Sequence, residues 1–299
     1  MKNCLVTTLK RVVDNDSLIK LGELKFKISG QNMVKVATTA YPVTTDMSIL
    51  DTYPDVVFTE NNERTIGIDH LERYRTASAA CEIAIKDRYK LSTFSADGNS
   101  PVECNIADFQ FCPLKVFTAY SGIDGSTGKI TGYTSKLLPS IQILDLYSKG
   151  IIYDGLPVMP TLKDYELKVN EAIDINEIVN KCANLERIFA FYADVKGNIE
   201  TLPARVGITT LRLEQRGNTP HEVTGDIVYL ASWRGLTTLN INGTKIFGSI
   251  ADFLDAMYND GNGRTSGSIT IIVNNIVTNV SGASSTQTYN FSSSGWVMA

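Results

Sequence analysis

The residue types that most often carry catalysis or bind metals are few in this chain and are not grouped. There are two histidines, His70 and His221, and five cysteines, at positions 4, 81, 104, 112 and 182. The closest cysteines, Cys104 and Cys112, are too far apart for a zinc ligand pair and have no second pair to join. We therefore expect no metal site. An odd number of scattered cysteines favours reduced thiols in a protein made in a cytoplasm.

Two acidic turns look like calcium-binding loops at first sight. They are Asp97-Gly98-Asn99 and Asp260-Gly261-Asn262-Gly263. Neither is followed by the glutamate that completes an EF-hand loop, so both are interpreted as ordinary turns. The sequence also contains no G-x-x-x-x-G-K-[ST], G-x-S-x-G or H-E-x-x-H motif. We predict that the protein is not an enzyme and binds no cofactor.

Composition sets further bounds on the class of protein. The chain has 299 residues, of which 43% are hydrophobic and 20% charged, and its formal net charge is −4. This weak charge argues against a nucleic-acid partner. No stretch approaches the roughly 18 consecutive apolar residues that a membrane span needs. Residues 1–7 turn polar at once, which predicts no signal peptide.

The pattern L-x-x-L-x-L recurs along the second half of the chain. Three units add apolar residues and a glycine about ten residues later. They are Leu185–Ala190 with Val195, Gly197, Ile199 and Leu202; Ile208–Leu213 with Val223, Gly225, Ile227 and Leu230; and Leu236–Ile241 with Ile246, Gly248, Ile250 and Phe253. Weaker units begin at 114, 141 and 162. The resulting steps fall within the roughly 20–29 residues of leucine-rich repeats.

The alternation in each unit is that of a β-strand whose last two apolar residues point inward. Each unit leaves apolar surface open on both sides, so neighbouring units must stack. We predict a leucine-rich repeat solenoid with six adjacent parallel strands, starting near 114, 141, 162, 185, 208 and 236. The equivalent residues Ile188, Leu211 and Leu239 are predicted to be buried.

The fold class expected is α/β with large β content, in three parts. Residues 1–95 form a β-rich module for anchoring or oligomerisation, residues 102–257 form the solenoid, and residues 258–299 form a β cap over its end. Turn clusters at 96–101 and 259–263 mark the boundaries. Within the first part, Asp69 is placed to cap a short helix over residues 70–76.

The outward strand positions form one surface, where solenoids generally bind partners. The predicted interaction face comprises Glu186, Arg187, Phe189, Thr209, Thr210, Arg212, Thr237, Thr238 and Asn240. It has no aromatic row and no block of one charge, so a solvated face and a binding face both remain open. If the face binds, Phe189 with Arg187 and Arg212 is the expected centre, because aromatic and arginine side chains dominate hot spots.

Several segments resemble proteins of gut Bacteroidales and their phages. They are residues 1–7, 14–18 and 20–24 near the amino terminus, the unit at 236–250, and the segments 263–269 and 291–295. The chain thereby resembles virion surface proteins of crAss-like phages, although its units at 114–178 depart from the usual repeat pattern.

The resemblance implies a non-enzymatic head fibre or capsid decoration, made in the host cytoplasm and exposed on the virion surface. Capsid or other virion proteins would be its partners. A homo-oligomer, a trimer or dimer, is expected because several weak contacts gain avidity. The alternative is a host receptor-binding adhesin that engages a cell-surface glycan or protein.

Overall fold

A computed structural model of the chain describes fifteen segments, and all structural statements concern these. They are residues 24–28, 33–38, 55–58, 64–66, 72–76, 81–85, 91–96, 102–121, 130–169, 171–190, 194–214, 221–259, 263–273, 279–282 and 285–299. The chain divides into two compact units, Met1–Leu138 with Ser148–Gly150, and Pro139–Tyr147 with Ile151–Ala299. The three-part division expected from the sequence stays a prediction.

The first unit contains two sheets of mixed pairing. Its strands are β1 (Leu24–Ile28), β2 (Met33–Thr38), β3 (Asp55–Phe58), β4 (Arg64–Ile66), β5 (Glu72–Thr76), β6 (Cys81–Ile85), β7 (Leu91–Ala96), β8 (Val102–Asn105), β9 (Val116–Ser121) and β10 (Ile130–Tyr133). One sheet has the order β10-β8-β1-β6-β4 and the other β9-β7-β2-β5-β3. Phe94, Phe109 and Phe117 pack together in its core, with ring centroids 4.7–5.8 Å apart.

The helix predicted over residues 70–76 is wrong for residues 72–76, whereas residues 69–71 lie outside the described segments. Glu72–Thr76 is strand β5, which pairs antiparallel with β2 and parallel with β3. A helix of about seven residues has little stability of its own, so hydrogen bonding to two neighbouring strands outweighs a favourable N-cap.

The second unit is built from two mostly parallel sheets. Its strands are β11 (Ile143–Ser148), β12 (Ile151–Ile152), β13 (Asp164–Lys168), β14 (Ile173–Asp174), β15 (Arg187–Phe189), β16 (Val195–Asn198), β17 (Thr210–Arg212), β18 (His221–Asp226), β19 (Thr238–Asn240), β20 (Thr244–Ser249), β21 (Ser268–Val273), β22 (Asn279–Ser281), β23 (Ser285–Ser292) and β24 (Gly295–Met298). The long sheet runs β11-β13-β15-β17-β19-β21-β23-β24, and the short sheet runs β14-β16-β18-β20-β22. Few helices accompany this large, mostly parallel sheet, as the α/β class with large β content requires.

The units that start at 162, 185, 208 and 236 each place one strand in the long sheet and one in the short sheet. Helical turns follow the short-sheet strands: α1 (Ile175–Lys181), 3-10 helices at Ile199–Thr201 and Ile227–Ser232, and α2 (Ile250–Asn259). They carry the apolar residues that the sequence pattern places after each glycine, and these residues are buried at Ile199, Ile227, Leu230 and Phe253.

Neighbouring strands of the long sheet are parallel and follow the chain in order from β11 to β21. Ile188, Leu211 and Leu239 lie side by side and are fully buried, which confirms their predicted positions. The parallel ladder extends one strand beyond the predicted solenoid, because Ile269, Ile271 and Val273 of β21 also alternate inward. Only β23 and β24 run antiparallel.

The repeated glycine has a specific packing reason. Gly197, Gly225 and Gly248 have φ of 122°, 119° and 112°. A Cβ on each would lie 2.6, 2.5 and 2.3 Å from the side-chain oxygen of Asp174, Asn198 and Asp226 respectively. Those oxygens cap the helical turns of the preceding unit by accepting a backbone N–H. A glycine is therefore needed wherever one unit stacks on the cap of the previous one.

Candidate interaction face and its adjacent cleft

Strand register arranges the outward side chains of the long sheet in two rows. The first row holds Asp164, Arg187, Thr210, Thr238 and Thr270, and the second holds Phe189, Arg212, Asn240 and Ile272. Glu186, Thr209 and Thr237 immediately precede the strands. The Oγ1 atoms of Thr209 and Thr237 each donate to a backbone carbonyl of the preceding unit at 3.1 Å. These two threonines therefore join units as well as facing outward.

Arg187 belongs to an ion pair within the first row. Its Nε lies 2.5 Å from Asp164 Oδ1, and its Nη2 also contacts Asp164 Oδ2. Hydrogen bonding to this carboxylate raises the pKa of Arg187. The guanidinium is thus engaged by its own sheet, and Thr210, Thr238 and Thr270 make up the rest of the row.

The second row contains a small polar cluster beside an aromatic ring. The Arg212 guanidinium lies 6.0 Å from the Phe189 ring centroid and 2.8 Å from Glu214 Oε2. Asn240 Nδ2 donates to the same carboxylate oxygen at 3.2 Å, and Asn240 Oδ1 accepts the Asn242 N–H. Asn240 is only 2% exposed, so its amide serves this cluster rather than a partner.

The structure therefore brings Phe189 and Arg212 together, as the sequence predicts, but ties Arg187 to Asp164 in the other row. Asn240 was expected to face outward and is instead buried, because the turn at residues 242–243 and Glu214 supply its hydrogen bonds. Sequence reasoning missed Glu214, whose position just after a strand carries no motif.

A cleft of about 600 Å³ opens beside Glu186, at the edge of the face where the chain enters the strands. It is lined by Gln142, Thr161, Lys163, Ala183, Asn184, Leu185, Glu186, Arg205 and Gly207. Lys163 Nζ and Glu186 Oε1 form an ion pair at 2.6 Å on its wall, with both side chains about half exposed. Asn184 Nδ2 donates to the carbonyl of Pro160 at 2.6 Å, which holds this amide in place.

Arg205 is the unusual residue of the cleft. It stands three residues before the first apolar residue of its unit, and that place holds Met159, Cys182 and Trp233 in other units. All three are buried, and Cys182 and Trp233 belong to the units before and after that of Arg205. Arg205 Nη2 donates to the Val179 carbonyl at 3.0 Å, whereas its buried Nε has no hydrogen-bond partner among the described residues. A cation in an otherwise apolar place is a signal that an alignment of the units can find.

The remaining titratable residues point to structural roles. Burial and then the Glu177 carboxylate raise the pKa of the Cys182 thiol to about 12, against the opposing charge of Arg205. His221 is buried at the start of β18, where Nδ1 accepts the Val195 N–H at 3.4 Å, and burial lowers its pKa. Within the described segments, no group of three or more His, Cys, Asp or Glu side chains could hold a metal ion. None of the described helices is both long and apolar enough to span a bilayer.

Comparison with protein-family models, with curated proteins and with solved structures gave no match.

Proposed function

We propose that this chain is a non-enzymatic structural component of a phage virion, a head fibre or capsid-surface decoration. In this proposal the second unit is a leucine-rich repeat solenoid that displays the long-sheet face for interaction. The protein is made in the host cytoplasm, works as a homo-oligomer on the virion surface, and contacts capsid or other virion proteins. It has no role in nucleic-acid binding.

The observation that carries the proposal is the stacking of the units in register in both sheets. Tyr165, Ile188, Leu211 and Leu239 form one continuous buried row, with each unit supplying one residue. Such stacking gives an extended scaffold whose outer rows are regular. The charged groups on those rows are engaged within the protein, Arg187 by Asp164 and Arg212 by Glu214. This favours display and contact over catalysis.

Quantitative mass spectrometry of purified phage particles tests this proposal. We expect the chain in particles washed at high salt, in a constant ratio to the capsid protein. Its presence in infected cells together with its absence from washed particles would refute a structural role in the virion.

The cleft beside Glu186 supports a second function, that of a host receptor-binding adhesin. Arg205, whose buried Nε has no hydrogen-bond partner within the described segments, lines an open space together with the polar side chains of Gln142, Asn184 and Lys163. Because Arg205 itself lines the cleft, its guanidinium can meet an acceptor on a bound ligand there, and hydrogen bonds to a charged group are among the stronger ones. Arginine recognises carboxylates with a planar fork of donors, and amides suit hydroxyl groups. A glycan that carries carboxylates fits this chemistry.

Arg205→Met tests the adhesin function cleanly, because methionine already occupies the equivalent place at Met159. Calorimetric titration with an oligogalacturonate should show binding that the variant weakens at least about tenfold, since hydrogen bonds to charged groups contribute roughly 1.5–3 kcal/mol. Lys196→Met, an exposed cation on the short sheet, is the matched control and should leave the affinity unchanged. Equal affinity in both variants, or equal binding of a neutral oligosaccharide, would contradict a carboxylate site at Arg205.

A further inference from the structure

The last strand of the long sheet, β24, has one edge to which no described strand is paired. Among the described residues, β24 pairs only with β23. The Ala299 N–H donates to the Thr288 carbonyl at 2.8 Å, and paired positions along the hairpin then alternate. It follows that the backbone N–H and C=O groups of Trp296 and Met298 point away from β23. They form a short row of donors and acceptors that no described strand occupies.

This edge lacks the features that usually keep sheet edges apart. Exposed edges are commonly guarded by lysine or other charges, by proline, or by a bulge. Residues 265–299 contain no charged residue and no proline. Val297 and Met298 are apolar yet 62% and 63% exposed. The edge therefore combines backbone hydrogen-bonding groups with exposed apolar side chains, and β24 carries no charged side chain of its own.

Other contacts hold β24 in place before any partner arrives. Trp296 Nε1 donates to Asp255 Oδ1 of α2 at 2.8 Å, and its ring packs edge-on against Tyr289 at 5.7 Å. Tyr258 of α2 donates to the Ser293 carbonyl in the hairpin turn at 2.8 Å. A strand ordered in this way loses little conformational entropy on pairing, which favours association.

We infer that two copies of this chain associate through β24, with the two strands antiparallel about a twofold axis. The inference deepens the homo-oligomer of the proposed function and selects the dimer. A second copy is the occupant because the same strand then supplies both halves of a closed, self-complementary interface. The absence of charged side chains on β24 also permits this, because like charges on two identical strands would repel each other across the axis.

The register of the pairing follows from the free backbone groups. The largest number of hydrogen bonds forms when Trp296 faces Met298 of the second copy, and the converse. Val297 then lies on the axis and faces its own copy as a pair without hydrogen bonds, with Cα atoms about 4.5 Å apart. Disulfides span Cα separations of roughly 4.4–6.8 Å, so cysteines at this position would be within bonding range.

Val297→Cys in the full chain tests this register. We expect mild oxidation to convert most of the protein into a covalent dimer that reductant reverses. Asn290→Cys is the matched control, since Asn290 is exposed and lies directly beside Val297 on β23, one strand in from the edge. It should remain monomeric on a non-reducing gel, as should the unmodified chain with its five native cysteines.

Val297→Lys provides the second arm. Light scattering should give twice the monomer mass for the unmodified chain and the monomer mass for the variant, with unchanged circular dichroism. A monomeric unmodified chain, a dimer that survives Val297→Lys, or equal cross-linking at 290 and 297 would overturn the inference. Cross-linking of position 297 only to another virion protein would do so too. Dimerisation of a chain that is absent from virions would instead refute the proposed function alone.

Discussion

The repeated units of the second unit and its carboxyl-terminal hairpin have different outer surfaces. Neighbouring repeated units set opposite charges side by side, as in Lys163–Glu186, Arg187–Asp164 and Lys245–Glu222. The hairpin of β23 and β24 has no charge at all and leaves apolar side chains exposed. The ion pairs of the repeated units thus join neighbouring units. The hairpin instead leaves an edge whose backbone groups can pair with another chain.

Neighbouring units meet through two kinds of contact, a buried apolar row and outer ion pairs, and both recur from unit to unit. The buried row is apolar and supplies most of the stacking free energy. The Lys163–Glu186 and Lys245–Glu222 pairs are about half exposed, and each contributes only about 0–1 kcal/mol. The main effect of these ion pairs is on association with other chains, because charged side chains disfavour pairing with a foreign strand. Four predictions test this division, in order of decreasing effect.

Leu211→Ala should have the largest effect. The side chain is fully buried between Ile188 and Leu239, so its removal leaves a cavity and should lower the free energy of unfolding by about 2–5 kcal/mol. Chemical denaturation followed by circular dichroism measures this. Thr210→Ala, the outward neighbour, should change the value by no more than about 0.5 kcal/mol. Similar losses in both variants would erase the distinction between inner and outer rows.

Gly225→Ala should cost about 1–3 kcal/mol, because its φ of 119° is strained for alanine. The added Cβ would also lie 2.5 Å from Asn198 Oδ1. Asn198→Ala in the same chain removes that oxygen, so the double variant should lose less than the sum of the two single losses. Strict additivity in the denaturation midpoints would show that the glycine and the cap act independently.

Stability should depend on pH through His221. Burial lowers the pKa of His221, so the unfolded chain binds a proton more readily than the folded chain. The free energy of unfolding should therefore fall as pH drops below about 6.5, the ordinary histidine value. The carbonyls of Glu214 and Ala190 and the Asp194 carboxylate oppose the shift and limit its size.

His221→Gln should flatten this dependence while leaving Cys, Asp and Glu titrations in place. The measurement is the melting temperature at pH 7.5 and 5.5. An equal fall in both proteins would assign the pH dependence to other groups.

Lys245→Thr should have the smallest effect on stability. Lys245 pairs with Glu222 on the exposed short sheet, and both side chains are about half exposed. The free energy of unfolding should change by no more than about 0.5 kcal/mol. Val297→Lys in the hairpin should be equally mild in unfolding yet abolish dimers. A large loss of stability in Lys245→Thr would show that the outer ion pairs, and not only the buried row, supply much of the stacking free energy.

The repeated strands could be predicted from sequence because inward residues recur at steady steps, and stacking is the one arrangement that buries them all. Local signals did less well where tertiary pairing competes, as at β5. The burial of Asn240 depends on Glu214, which belongs to the preceding unit and whose contact no pattern reveals. Arg205 was missed for a different reason. It stands out only when it is compared with Met159, Cys182 and Trp233, which occupy the equivalent position in other units. The free edge of β24 required strand order and hydrogen-bond alternation.

Immunogold electron microscopy of intact phage particles tests the central claim most directly. Antibodies raised against the long-sheet face, and depleted on a chain carrying substitutions at Glu186, Arg212 and Thr237, would recognise that face specifically. We expect gold on the surface of intact particles, at many positions on each. Gold on disrupted particles or host debris alone, with intact particles unlabelled, would contradict display of the repeats on the virion.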